Sequence, residues 1–264
     1  MNASASNRAG LHIVPPARFT PWRAYRLEAA YELIRTLRTP SFVLPTLLFP
    51  LMFYLLFGVL LAGRHGAEAA RYLLATYGVF GVMGAALFGF GVSVAVERER
   101  GLLTLKRALP MPPGAYLAAK LATALAFSAV ISIALAGLAA TLGDVVLTPR
   151  QWLMLPAVHV LGALPFCALG LAVGVSVSGS AAPAVVNLLF LPMSFLSGLW
   201  MPLTALPPVF AKLAAAWPAY HLGQVALKVI GLDAGGALAL HLAVLVGFTA
   251  ACLMYARWRL ARGG

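Results

Sequence analysis

The chain has 264 residues, 62% of them hydrophobic and 10% charged, with a formal net charge of +12. A soluble domain of this length is nearer about 45–50% apolar and about 25% charged; this chain lacks the charged surface that a water-soluble core requires. Nor does the positive charge point to nucleic acid, because the basic residues sit in short segments between long apolar runs and no polar domain is present.

Residues 1–17 are small and polar, contain Pro15-Pro16, and read as a disordered tail. From Arg18 to Arg38 the chain carries Arg18, Arg23, Arg26, Arg35 and Arg38, with Trp22 near the start and Glu28 and Glu32 among them. This basic amphipathic pattern predicts a helix lying on an anionic membrane face; an ordinary basic flank of the first span is the other reading.

Six apolar runs follow, at about 41–62, 72–96, 121–142, 152–177, 181–200 and 236–256. A hydrocarbon layer of about 30 Å takes roughly 20 helical residues, so each run is expected to span. The first is too long for a signal-peptide core and reads as a retained span. The second carries Gly78, Gly81, Gly84, Gly89 and Gly91, which permit close helix–helix approach. Pro156 and Pro165 are expected to kink the fourth, and Val175–Ser180 is a tight polar turn. Of the 19 Lys and Arg residues, 14 fall in the N-terminal segment, the loop after the second run and the C-terminus. That bias places both ends in the cytoplasm, and six spans return the chain to its starting side.

No carboxylate falls at mid-membrane, which argues against an ion- or proton-coupled carrier. His159 and His241 are expected to be hydrogen-bonded packing residues rather than a relay. Asn187, inside the fifth run, either lines a path or bonds a neighbouring helix. Cys167 and Cys252 lie within apolar runs without metal-ligand spacing. No catalytic constellation and no phosphate-binding Gly-x-x-x-x-Gly-Lys-Ser/Thr loop occurs, so no catalysis, metal or cofactor is expected in this chain.

Two segments are more than connections. Glu97-Arg98-Glu99-Arg100-Gly101 leads into Leu102–Leu109, whose Leu102, Leu105 and Leu109 oppose Lys106 and Arg107 on a short amphipathic helix stopped by Pro110. Charges of both signs suit docking to a soluble partner; a salt-bridged solvated loop is the other reading. The second segment, from Phe195 through Ser197, Gly198, Trp200, Pro202, Pro207, Pro208, Trp217 and Pro218, breaks helix repeatedly in apolar sequence. Such backbone survives at membrane depth only when buried in protein or lining a cavity, so short re-entrant helices at the outer face are expected. Trp200, Trp217 and Tyr220 suit an aromatic belt there.

These features together resemble the ABC-2-type permeases, the membrane subunits of ATP-binding cassette exporters. The likeness rests on the amphipathic segment 18–38, on Glu97-Arg-Glu-Arg-Gly101 after the second span with Leu109-Pro110 beyond it, and on Ser197-Gly198, Pro202 and Pro207 after the fifth. It covers nearly everything after residue 17, as one all-α transmembrane domain, 18–264. The resemblance implies a second permease, presumed identical, and two separate ATPase subunits that bind ATP and Mg. It makes residues 97–114 the ATPase-coupling element, lets the N-terminal helix touch the ATPase flank, and places a transport path near spans one, two and five beneath an outer gate at 201–220. It further implies a bacterial inner membrane and export of a drug, lipid or lipid-linked glycan. A secondary transporter or channel working without ATP is the alternative.

Overall fold

The computed structural model describes residues 20–61, 66–108, 111–112 and 114–262, with the backbone alone at Arg107. The expected tail 1–17, Arg18, Arg64, His65, Leu109 and Pro110 lie outside the described residues.

Among the described residues the chain forms ten helices and no strand. They are α1 (Pro21–Leu37), α2 (Pro40–Leu60), α3 (Gly66–Glu99), α4 (Leu102–Ala108) and α5 (Ala115–Leu142). After these come α6 (Pro149–Gly174), α7 (Ala182–Leu196), α8 (Pro208–Ala214), α9 (Pro218–Ile230) and α10 (Leu238–Arg262). Six of these helices carry a proline in the first two helical positions, at Pro21, Pro40, Pro149, Pro183, Pro208 and Pro218, where its missing N–H is no loss. Thr148 caps α6 through a reciprocal pair with Gln151, and Gly231 at φ 73° ends α9 in the left-handed conformation. Both α2 and α3 widen into π-type turns, at Tyr54–Leu60 and Leu87–Val92.

Among the described residues, five helices are long and apolar enough to cross a membrane: α2, α3, α5, α6 and α10. The run expected to span over 181–200 is helical only over Ala182–Leu196, 15 residues or about 22 Å at 1.5 Å each. The apolar sequence continues to Trp200, but Gly198 turns at φ +75° and takes the backbone out of the helix. At both ends of the second run and the start of the third, the helices outrun the apolar sequence. Glu68 and Arg71, which precede the second apolar run, stand in the first turns of α3, and Lys120 stands inside α5.

The centre of the bundle is α3 and α6; α2 and α10 are peripheral and largely uncovered. The two central helices approach at backbone contact: a Cβ on Gly91 would stand 2.9 Å from Gly170 Cα. Gly78 leaves room for the ring of His159, which is fully buried and bonds Ser132 Oγ at 2.8 Å and the Ala75 carbonyl at 3.0 Å. That is the packing role expected of it. Helix α9, hidden in mixed sequence, is buried along almost its whole length against α3, α6 and α10.

Candidate functional site

Two sites of opposite chemistry occupy the bundle. The first is a charged junction where α1, the end of α3, α4 and the start of α5 meet. Glu97, in the last turn of α3, is 4% exposed. Its carboxylate accepts from Lys120 Nζ at 2.7 Å and from the Tyr116 hydroxyl at 2.7 Å, and pairs with Arg35 of α1. Lys120 is itself buried; it pairs with Glu32 at 2.6 Å and donates to Ser93 Oγ at 3.0 Å. Arg35 closes the ring on Glu32 at 2.8 Å. The four charges sum to zero, as a desolvated cluster must if its ions are to stay charged. A second pair, Glu28 with Lys106, ties α1 to α4.

The rest of the Glu-Arg-Glu-Arg-Gly segment also turns inward. Arg98 donates to the Val177 carbonyl at 2.7 Å, and the Glu99 carboxylate accepts from the Gly179 amide at 2.6 Å, so both hold the turn between α6 and α7. Gly101, at φ +73°, redirects the chain into α4. Arg100, Thr104, Leu105 and Ala108 remain exposed, Leu105 at 59%, whereas Leu102 is half-buried. On α1 the acidic side chains face the protein. The uncovered face holds Arg23, Arg26 and Arg38 beside Leu27, Tyr31, Ile34 and Leu37, and Trp22 stands 73% exposed.

The second site is a groove of about 460 Å³ between α2, α3 and α7. Seven aromatic side chains line it: Phe42, Phe49, Phe53, Phe80, Phe88, Phe190 and Trp200. Ring centroids lie 4.9 Å apart for Phe80–Phe190, 5.3 Å for Phe53–Trp200 and 5.9 Å for Phe80–Trp200. Ser41, Thr46 and Asn187 are its polar members, and among the described residues none of the lining is charged. Asn187 is exposed on α7, among exposed Leu188 and Leu191.

Beyond Trp200 the chain breaks as its glycine and prolines require. Trp200 Nε1 donates to Ser194 Oγ at 3.1 Å, and the Tyr72 hydroxyl donates to the Gly198 carbonyl at 2.7 Å, so both ends of the break are tied. Ser197, Gly198 and Pro202 line a second, more polar cleft of about 600 Å³ with α3 and α9. Phe195, Pro207 and Trp217 fall outside both linings; Trp217 caps α9. Of the expected path residues, Asn187 and Trp200 therefore share the groove, and Ser197, Gly198 and Pro202 share the cleft.

Sequence reading missed Lys120, which looks like any basic flank, and the groove's phenylalanines, which look like any apolar run. Phe80 carried a weak signal: an aromatic among the glycines of the second run.

An all-helical membrane bundle with an N-terminal helix docked on a Glu-x-Glu-x-Gly junction, and a broken segment after a short fifth apolar helix, defines a class of transporter. The chain belongs to the ABC-2 type transporter family, which it matches over residues 24–230. It is a multi-pass membrane protein and the non-catalytic permease subunit of an ABC-2 transporter. It is similar to the protein named "Putative transport permease YvfS" of Bacillus subtilis (strain 168), 30% identical over 207 residues that make up 77% of this chain and 84% of that one. Family membership implies an ABC ATPase as partner, with the permease holding no cofactor of its own.

Proposed function

We propose that this permease exports a hydrophobic or amphipathic cargo, driven by ATP hydrolysed on two copies of a separate subunit. The observation that carries the reading is the uncharged aromatic groove between α2, α3 and α7, open on the face that α2 leaves largely uncovered. A second copy of the chain covers that face, with Asn187 of α7 at the join, and the two grooves form one path. An exposed amide among leucines is costly in lipid and satisfied against a partner helix. In this reading the chain passes six times, with α7 completing its crossing through residues 197–200, and the basic bias puts both termini in the cytoplasm of a bacterial inner membrane.

The ATPase docks on the exposed edge of the 97–114 element: Arg100, Gly101, Thr104, Leu105 and Ala108. Glu97, Arg98 and Glu99 act behind that edge, carrying its displacement to α1, α5 and the α6–α7 turn. Because α4 and α1 are joined by Lys106–Glu28, the ATPase moves them together, and α1 rides on anionic headgroups through its arginine face. ATP-bound and ATP-free dimers prefer different spacings of the two docking edges, and that preference biases the groove between inward and outward openings. Purification in mild detergent with mass spectrometry of co-purifying chains tests the assignment. A stoichiometric nucleotide-binding subunit is expected; its repeated absence favours a carrier that works without ATP.

A further inference from the structure

Two cavities share one face of α3. Tyr72, Thr76, Phe80 and Gly84 recur every four residues, so they form a single stripe along the helix. Tyr72 and Thr76 line the 600 Å³ cleft, Phe80 and Gly84 the aromatic groove. Ser197–Leu199 line the cleft and Trp200 the groove, so the helix break is the partition between the two.

Among the described residues, no cationic side chain lines either cavity. The groove gathers seven aromatic rings, whose faces attract cations, and among the described residues no charged side chain lies between them. In the cleft, the lining carries the carboxylates of Glu68 and Asp233 and, among the described residues, no Lys or Arg. Lys228 pairs with Asp233 but is not part of the lining. Thr76 and Ser197 also line the cleft. They are 1% and 4% exposed, and neither hydroxyl has a hydrogen-bond partner among the described residues. A buried hydroxyl without a partner is costly, and a ligand that satisfies it recovers the loss. A positive charge on an apolar body gains at both stations; an anion of the same shape gains at neither.

We propose that the cargo is a lipophilic cation, held in the groove by cation–π contact and received in the cleft by Glu68, Asp233 and the hydroxyls of Thr76 and Ser197. This deepens the export reading and rests on it for the direction of travel, but binding itself needs no ATPase. The test uses the full chain in nanodiscs of zwitterionic phosphatidylcholine, titrated with radiolabelled tetraphenylphosphonium and tetraphenylborate, which match in shape and differ in charge. After subtraction of uptake by empty nanodiscs, the phosphonium should bind saturably and at least tenfold more tightly than the borate. Trp200→Leu and Phe80→Leu should each weaken phosphonium binding by about 3- to 10-fold, as loss of one desolvated cation–π contact requires. A variant that no longer elutes like the parent is replaced by Phe190→Leu, from the facing wall of the groove. Equal or tighter borate binding overturns the proposal, as does phosphonium binding that these variants leave unchanged. If an ATPase co-purifies and the phosphonium does not bind, the cargo assignment falls alone. If the phosphonium binds and no ATPase is ever found, the ATP-driven reading falls and the site stands.

Discussion

The charged junction and the aromatic groove lie along the same helix, α3, and hold together by opposite means. At the junction, Glu32, Arg35, Glu97 and Lys120 make short, directional bonds with almost no freedom of position. The groove is built of ring contacts at 4.9–5.9 Å, which tolerate sliding and tilt. Directional bonds suit a part that must transmit displacement without loss. Non-directional apolar contact suits a part that must admit a guest and release it. The helix joining them widens into a π-type turn at Leu87–Val92, between the two regimes.

This contrast can be broken most severely at the junction. Lys120→Met leaves Glu32 and Glu97 buried with one cation between them, and removal of one partner from a buried pair costs about 3–5 kcal/mol. A large fall in melting temperature in detergent is expected, with fast hydrogen exchange along α1. Glu97→Lys alone should do the same, and Glu97→Lys combined with Lys120→Glu should recover part of the loss. Charge reversal at Glu97 therefore tests the brace before it tests ATPase coupling, whereas Glu99, exposed and bonded to the Gly179 amide, is the cleaner probe of coupling.

Next in size is His159→Ala, which strands the Ser132 hydroxyl and opens a void against Gly78; about 2–4 kcal/mol is expected from thermal melting, since both a hydrogen-bonded group and a packed ring are removed. A smaller, purely functional effect is expected at Leu105→Asp. The side chain is 59% exposed, so folding should be unchanged while the yield of co-purified ATPase falls roughly tenfold, the loss expected when a charge enters an apolar contact. Normal folding with normal ATPase recovery would move the docking edge away from α4.

The smallest effect concerns Asp233, whose carboxyl is held below the usual carboxylate range chiefly by its hydrogen bond to the Lys228 ammonium. A depressed folded-state value means that the pair stabilises the α9–α10 connection at neutral pH and that this contribution is lost as pH falls through the depressed value. Hydrogen exchange at residues 231–237 should accelerate on acidification in the parent and be insensitive to pH in Asp233→Asn, after correction for intrinsic exchange.

Much of the architecture was legible without coordinates. The long apolar runs mark helices because bilayer thickness demands them. The glycines of the second run mark close packing because nothing larger fits beneath His159 or beside Gly170. The Glu-x-Glu segment was legible as special and ambiguous in its use. Charges of both signs fit a partner surface or an internal network, and the choice depends on Lys120, 23 residues on, and Arg35, 62 residues back. Helix α9 was illegible for a different reason. Its polar His221 and Gln224 interrupt the apolar pattern, yet both are buried, His221 against His241 at 2.9 Å and Gln224 accepting from the Ala234 amide.

Composition and periodicity by themselves determined that this is a helical membrane protein, roughly where its long helices lie, and where the chain must break at Gly198, Pro202, Pro207 and Pro218. These follow from local physics: transfer free energy along a run, and the backbone limits of glycine and proline. Tertiary structure alone decided that Glu97 braces the fold from within and that Phe53, Phe80, Phe190 and Trp200 converge on one groove. Each of these depends on which residues meet across the bundle, and a run of apolar letters carries no record of which face it turns to which neighbour.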